Sequence, residues 1–144
     1  MPTKVDGSPA RVLARLTRVV ESALGDDDLS LSQYRLLAFL SQGDWAASAL
    51  ADRLQVSRPS ITGLVDGLVK RGLVERRPSP DDRRRIDHVL TAAGRAALRN
   101  ADERADTRLR NVLAEVPADV ADDVLDSLTR LHAALDARLQ EKLR

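Results

Sequence analysis

The sequence contains no cysteine, which excludes disulfide bonds, thiolate metal sites and thiol-based redox switches. Its aromatic residues are one Trp, one Tyr and one Phe, too few for the stacking surfaces on which proteins bind RNA or single-stranded DNA. No apolar run is long enough to span a membrane, and Met1 to Pro9 lack the apolar segment of a signal peptide. These absences predict a cytoplasmic protein with no membrane partner.

The chain is also poor in the residues that carry catalysis. His88 and His132 are its only histidines. They lie in different predicted elements, a strand and the last helix, and each is better explained as a packed or surface residue than as a catalyst. The acidic triplet Asp26–Asp28 is better explained as a solvated loop than as a metal or effector site. The sequence therefore predicts no enzyme, no metal and no cofactor. A small enzyme remains an alternative, which a polar cleft around either histidine would favour.

Basic residues are concentrated in the middle of the chain. The 144 residues suit a single domain with a real core, and the net charge is only +1. Seven basic residues and three acids lie between Lys70 and Arg85, whereas ten acids and seven basic residues follow from Asp102 onward. This distribution indicates a localised anion-binding face.

Apolar residues recur at helical spacing in several segments. A capping box of Ser30 and Gln33 predicts a helix start, and that helix should bury Tyr34, Leu37 and Leu40. Asp44 is expected to cap the next helix, because Ala46 has no capping group. The predicted helices cover Ser8 to about Leu24, Ser30 to about Leu40, Ala47 to Leu54, Ser57 to Gly72, Ala92 (capped by Thr91) to about Leu113, and, after Pro117, about Asp119 to Leu143.

The segment from Ser57 to Gly72 carries the clearest functional pattern. Ser57 is a good N-cap, Pro59 is tolerated in a first turn, and Gly72 suits the end of a helix. The preceding helix lies only two residues away, which is typical of a helix-turn-helix. The outer face of the first turns is slim and uncharged or positive, as a helix in a DNA major groove requires. An ordinary amphipathic helix is the alternative. The candidate DNA-binding residues are Ser57, Arg58, Pro59, Ser60, Thr62 and Gly63.

A β-hairpin is predicted directly after this helix. Residues 73–77 and 86–90 have strand patterns, and Pro78 to Asp82 form a turn signal between them. An acid beside three arginines at the tip can hold one guanidinium group so that another projects into a DNA minor groove. The alternative is a charged hairpin that serves only solubility. The tip residues are Asp82, Arg83, Arg84 and Arg85.

The run from Leu29 to Gly94 resembles the MarR family of bacterial winged helix-turn-helix transcription regulators. The matching pieces are Leu29–Leu37, Leu50–Thr62, Leu68–Arg76, Asp82–Arg84 and Leu90–Gly94. The resemblance implies a mainly α fold with a small β-hairpin wing, flanked by N- and C-terminal dimerisation helices. It also implies that Ser57, Arg58, Ser60 and Thr62 face the major groove, that Arg84 faces the minor groove, and that Asp82 orients Arg84.

The resemblance also implies an organisation and a function. Residues 1–144 would form one domain, with dimerisation helices at 8–25 and 117–144, a DNA-binding lobe at 30–91 and a linking helix at 92–115. The apolar stripes of the first and last helices could cover the core of one chain or, as we expect, join two copies. The homodimer would bind a pseudo-palindromic operator in double-stranded DNA, as a repressor. Release from DNA would be caused by an effector, and the type of effector that remains is a small aromatic or lipophilic compound. A winged-helix module that binds only protein is the alternative.

Overall fold

The computed structural model describes residues 7–25 and 29–142; the predicted loop at Asp26–Asp28 lies outside these ranges. The described chain is mostly helical, with a small antiparallel sheet, as predicted. Its elements are α1 (Pro9–Leu24), α2 (Leu31–Leu40), β1 (Trp45–Ala46), α3 (Ala47–Leu54), α4 (Arg58–Lys70), β2 (Val74–Pro78), β3 (Ile86–Leu90), α5 (Ala92–Leu113) and α6 (Ala118–Lys142).

Two helix starts have the predicted side-chain caps. The Ser30 hydroxyl accepts a hydrogen bond from the Gln33 amide, and the Gln33 side chain accepts one from the Ser30 amide. Ser57 caps α4 in the same way, through the amide of Ser60. Such caps satisfy amide donors that have no partner within the helix, so they fix where α2 and α4 begin.

The start of α3 differs from the prediction. Ala46 is the N-cap residue, and no side chain caps the helix. The expectation that Asp44 would cap α3 is therefore wrong. Ala46 belongs to β1, so strand pairing instead of a cap holds the chain at this point.

The sheet has one strand more than the predicted hairpin. Its order is β1-β3-β2, and both pairs are antiparallel. Trp45 is half-buried, packs against the core and lies in β1 opposite His88 of β3. Two residues are too short for a strand pattern to be visible in the sequence. This short strand joins the helix-turn-helix to the wing.

The hairpin and α5 meet at Gly94. The Thr91 hydroxyl accepts a hydrogen bond from the Gly94 amide and donates one to the carbonyl of Gly72. A Cβ atom at Gly94 would lie 2.0 Å from the carbonyl oxygen of Leu73. Only glycine therefore allows α5 to start so close to the chain that leaves α4.

The described chain divides into two compact units, residues 1–106 and residues 107–144. The first unit holds the core, in which the largest fully buried side chains are Leu24, Leu36, Leu37, Leu50, Ile61, Leu68 and Val65. Tyr34 is only half-buried, and its hydroxyl donates a 2.6 Å hydrogen bond to Asp102 of α5. The second unit contains the end of α5 and all of α6. Within the described ranges no helix is long and apolar enough to cross a membrane.

Candidate nucleic-acid interface

The first two turns of α4 carry the predicted major-groove residues. All six of them, Ser57, Arg58, Pro59, Ser60, Thr62 and Gly63, are exposed. The Ser57 hydroxyl donates a 2.8 Å hydrogen bond to the Ser60 hydroxyl, and the Thr62 hydroxyl donates one of 3.0 Å to the Arg58 carbonyl. Two of the three hydroxyl protons are thus used inside the helix. The Arg58 guanidinium group and the Ser60 hydroxyl proton remain for an external acceptor.

The opposite face of α4 fixes this surface in place. Ile61, Val65 and Leu68 are each at most 1% exposed. Burial of three such side chains contributes roughly 1.5–3 kcal/mol each, which holds the helix in one rotation about its axis. The polar face of α4 is consequently presented outward by the core.

The wing tip is a hydrogen-bonded turn between β2 and β3. The Asp82 carboxylate accepts a 2.9 Å hydrogen bond from the main-chain amide of Arg84, and the Asp82 carbonyl accepts one from the Arg85 amide. The Ser79 amide donates to the Arg85 carbonyl. The turn is therefore shaped by main-chain contacts, and Asp82 positions Arg84 through its amide instead of its guanidinium group.

Arg85 differs from the other arginines of the tip. Its Nε donates a 2.9 Å hydrogen bond to the carboxylate of Asp87, which is 7% exposed. The Arg85 hydrogen bond lowers the pKa of Asp87, and a second hydrogen bond from Ser79 acts in the same direction. Of the four tip residues, Arg85 is thus held against the stem of the wing.

Three of the arginines predicted to bind DNA remain available for an external anion. The guanidinium groups of Arg58, Arg83 and Arg84 form no ion pair with any described residue. One lies at the start of α4 and two at the tip of the wing. An uncompensated guanidinium group has five donors suited to phosphate oxygens and to the edge of guanine. The two predicted clusters are therefore both cationic and both accessible.

Two contacts that support these clusters were not predicted. Arg76 of β2 forms an ion pair with Asp66 of α4, which ties the wing stem to the helix. The guanidinium carbon of Arg53 lies 4.9 Å from the centre of the Phe39 ring and 4.4 Å from that of Trp45. Both contacts join residues that are remote in sequence, so no local spacing signals them.

Neither histidine lies in a polar cleft. His88 is 4% exposed, and its Nδ1 donates a 3.0 Å hydrogen bond to the Trp45 carbonyl. His132 is exposed on α6 beside Asp136, one turn away. A half-open cavity of about 440 Å³ lies elsewhere in the first unit. Its lining residues are Leu29, Arg71, Ala97, Asn100, Glu103 and Arg104.

Comparison with known proteins identifies the arrangement. A sequence model of the MarR family matches residues 27–85, which include α2, α3, α4, β2 and the wing tip. The HTH-type transcriptional repressor YetL of Bacillus subtilis is 33% identical over 87 residues. Over this part of the sequence the chain is similar to the MarR family. The match with YetL covers 58% of this chain and 52% of YetL, so the chain spans about half the length of that relative.

Two solved structures are similar to this chain over most of its length. The transcriptional repressor CouR, bound to a 23-mer DNA duplex, is 29% identical with a TM-score of 0.69, over 86% of this chain and 88% of CouR. The apo form of MarR from E. coli has a TM-score of 0.73 over 87% of this chain and 97% of that chain. At 21% identity, the likeness to E. coli MarR concerns the fold alone.

Proposed function

We propose that this chain is a sequence-specific, double-stranded DNA-binding transcriptional regulator that represses transcription. The observation that carries the proposal is the presence of exposed arginines at two places in one compact unit, Arg58 at the start of α4 and Arg83 and Arg84 at the wing tip. The relative YetL is named a repressor, and CouR was solved on a DNA duplex. The place of action would be the cytoplasm, where bacterial DNA lies.

The residues have distinct roles in this proposal. The N-terminal half of α4 enters the major groove, where Arg58 reads a guanine through two parallel hydrogen bonds. Arg84 enters the minor groove, in which a narrow A·T tract has an enhanced negative potential. Arg83 and the remaining basic residues contact phosphates, which add affinity without sequence information.

A homodimer is part of the proposal. Val12 and Leu13 of α1 are 45% and 50% exposed, and Leu131 and Leu135 of α6 are 51% and 61% exposed. Apolar stripes that a single chain leaves uncovered suit an interface with a second copy. A two-fold dimer would place its recognition helices roughly 34–36 Å apart, in successive major grooves of a pseudo-palindromic operator.

The test is binding of the purified protein to DNA from the region upstream of its own gene. We expect a footprint on an inverted repeat, with an affinity that falls steeply between about 50 and 200 mM salt. Arg58→Ala should cost about 1–3 kcal/mol on the operator and relax the preference at one base pair. Arg84→Ala should weaken binding most where the flanks are A·T-rich.

Arg130→Ala is the matched control, because Arg130 is an exposed arginine of α6 that pairs with Asp126. It should leave DNA binding unchanged. Equal loss on all sequences for Arg58→Ala would make Arg58 a phosphate contact. Equal loss on A·T-rich and G·C-rich flanks would exclude minor-groove reading by Arg84. Weak binding by the wild type that ignores sequence would contradict the proposal and favour a protein-binding module.

A small organic acid is proposed as the effector, with an aromatic or lipophilic body. The cavity of about 440 Å³ supports this, because its lining combines Arg71, Arg104 and Glu103 with the apolar side chains of Leu29 and Ala97. Benzoate is a suitable first probe. It should raise the thermal midpoint of the protein and weaken operator binding, and Arg104→Met should reduce both effects. No change in either quantity across millimolar benzoate would contradict this effector class.

A further inference from the structure

Two glycines lie in the interior of the helix that carries the proposed major-groove residues. Gly63 and Gly67 are four residues apart, so they lie one above the other on the same side of α4. Glycine weakens a helix interior relative to alanine, because it loses more backbone freedom on folding. Two such positions lower the stability of a helix of 13 residues, so we asked what each glycine contacts.

The chain itself provides no reason for Gly63. A Cβ atom built on Gly63 would have no described atom within 4 Å beyond its own neighbourhood in the helix. Its φ is not positive either, since the positive-φ glycines of the described chain are Gly25, Gly43 and Gly72. Gly94 shows the opposite case, because a Cβ there would lie 2.0 Å from a carbonyl oxygen. The space above Gly63 is simply open.

The surroundings of Gly63 indicate what fills this space. Pro59 lies one turn before it and contributes an apolar ring. Ser60 lies three residues before Gly63, on the same side of the helix, and contributes a hydroxyl group. The bare backbone at Gly63 thus has the apolar ring of Pro59 on its N-terminal side, within an otherwise polar surface. In the major groove, the apolar group that protrudes from a base edge is the 5-methyl group of thymine.

We propose that Gly63 is a specificity-determining residue whose bare backbone receives the 5-methyl group of an operator thymine. This inference rests on the proposed function. The methyl group would pack over Gly63 against the ring of Pro59, at a distance from the helix that any side chain at position 63 would prevent. The helix would thus lose some stability at Gly63 and gain discrimination for thymine at one position of each half-site.

The test begins with a random pool of DNA duplexes, from which the wild-type protein selects its tightest binder. Gly63→Ala should raise the thermal midpoint of the protein by about 2–4 °C. The same variant should bind the selected duplex about tenfold more weakly than the wild type, because its methyl group collides with that of the thymine. Stability and affinity would then change in opposite directions.

Replacement of each thymine by deoxyuridine, one position at a time, identifies the partner of Gly63. At the contacted position the wild type should lose affinity, because it loses a methyl contact, whereas Gly63→Ala should recover most of the tenfold loss. Gly67→Ala is the matched control. A Cβ there would lie 3.6 Å from the side-chain amide of Gln33, an ordinary contact, so this variant should gain stability and keep its affinity.

Several outcomes would overturn the inference. Equal affinities of Gly63→Ala and the wild type would show that nothing approaches position 63. A weaker Gly63→Ala that no deoxyuridine restores would exclude a thymine methyl group as the partner. Failure of the wild type to select any sequence would instead overturn the proposed function, and the inference with it.

Discussion

Helices α4 and α6 carry the same kind of apolar stripe and use it differently. In α4, Val65 is 1% exposed and Leu68 is fully buried. In α6, Leu131 and Leu135 are 51% and 61% exposed, and none of its described side chains is buried. Spacing in the sequence therefore predicts which face of a helix is apolar. It does not predict whether the same chain covers that face.

The difference separates two sources of stability. The stripe of α4 stabilises the fold of one chain, because its area is removed from water on folding. The stripe of α6 can contribute such free energy only when another surface covers it, and we propose a second copy of the chain. Substitutions on the α4 stripe should therefore be tested by measuring unfolding, and substitutions on the α6 stripe by measuring association.

The largest effect on folding is expected from Leu68→Ala. Truncation of a fully buried leucine removes apolar contacts and leaves a cavity, which should cost about 2–5 kcal/mol of unfolding free energy. Leu131→Ala is the matched control, because the same truncation at a half-exposed site should cost much less. Urea unfolding at a protein concentration at which the chain is monomeric would measure both. Equal losses would show that α6 is as well covered within one chain as α4 is.

The next largest effect concerns association. Leu135→Glu puts a charge on the uncovered stripe and should raise the dimer dissociation constant at least tenfold, or about 1.4 kcal/mol. Ala133→Glu adds the same charge to another side of α6 and should leave the dimer intact. Sedimentation equilibrium distinguishes these results. A dimer that tolerates Leu135→Glu would exclude this stripe from the interface.

Local chemistry explains what could be predicted from the sequence. The capping box at Ser30, the cap at Ser57 and the apolar periods of α4 and α5 each act within a few residues, so the sequence predicts these helices almost to their ends. The wing was likewise predictable, because prolines and aspartates interrupt two strand patterns.

Contacts between remote residues were not predictable in the same way. The two-residue strand β1 exists only because Trp45 and Ala46 pair with β3. The ion pair of Asp66 with Arg76 depends on where the core places α4 beside β2. At the wing tip, the Asp82 carboxylate accepts a hydrogen bond from the main-chain amide of Arg84, and this contact depends on the conformation of the turn. Sequence spacing alone carries none of this information.

A smaller effect on stability is expected from replacing Arg53, a charged residue of the unit that holds the core. Arg53 stacks on Phe39 and on Trp45, the only tryptophan of the chain. Arg53→Met keeps much of the apolar contact and removes the cation, so it should cost about 0.5–2 kcal/mol and change the emission of Trp45. Arg53→Lys, which keeps the charge, should cost less. Unchanged stability and emission in Arg53→Met would show that the stacking contributes nothing.

The smallest effect on stability concerns two ion pairs of the wing, one with a buried acid and one with an exposed acid. Asp87 and Glu75 each pair with an arginine, but the Asp87 side chain is 7% exposed and the Glu75 side chain is 48% exposed. Hydrogen bonds from Arg85 and Arg77, respectively, lower the pKa of each acid. Solvent screens an exposed pair more strongly, so the Asp87 pair should contribute more to folding.

A lowered pKa in the folded state means that the stabilisation is present above the pKa of the unfolded chain, near pH 4, and is lost as the pH falls through the folded-state value. As the pH falls from about 5 to about 2, Asp87→Asn should therefore lose less stability than the wild type does. Glu75→Gln should change that profile less. Thermal midpoints of the wild type and both variants, measured across this pH range, would test the prediction. A larger change for Glu75→Gln than for Asp87→Asn would mean that burial does not strengthen the Asp87–Arg85 pair. The cost of desolvating Asp87 would then offset the gain from reduced screening.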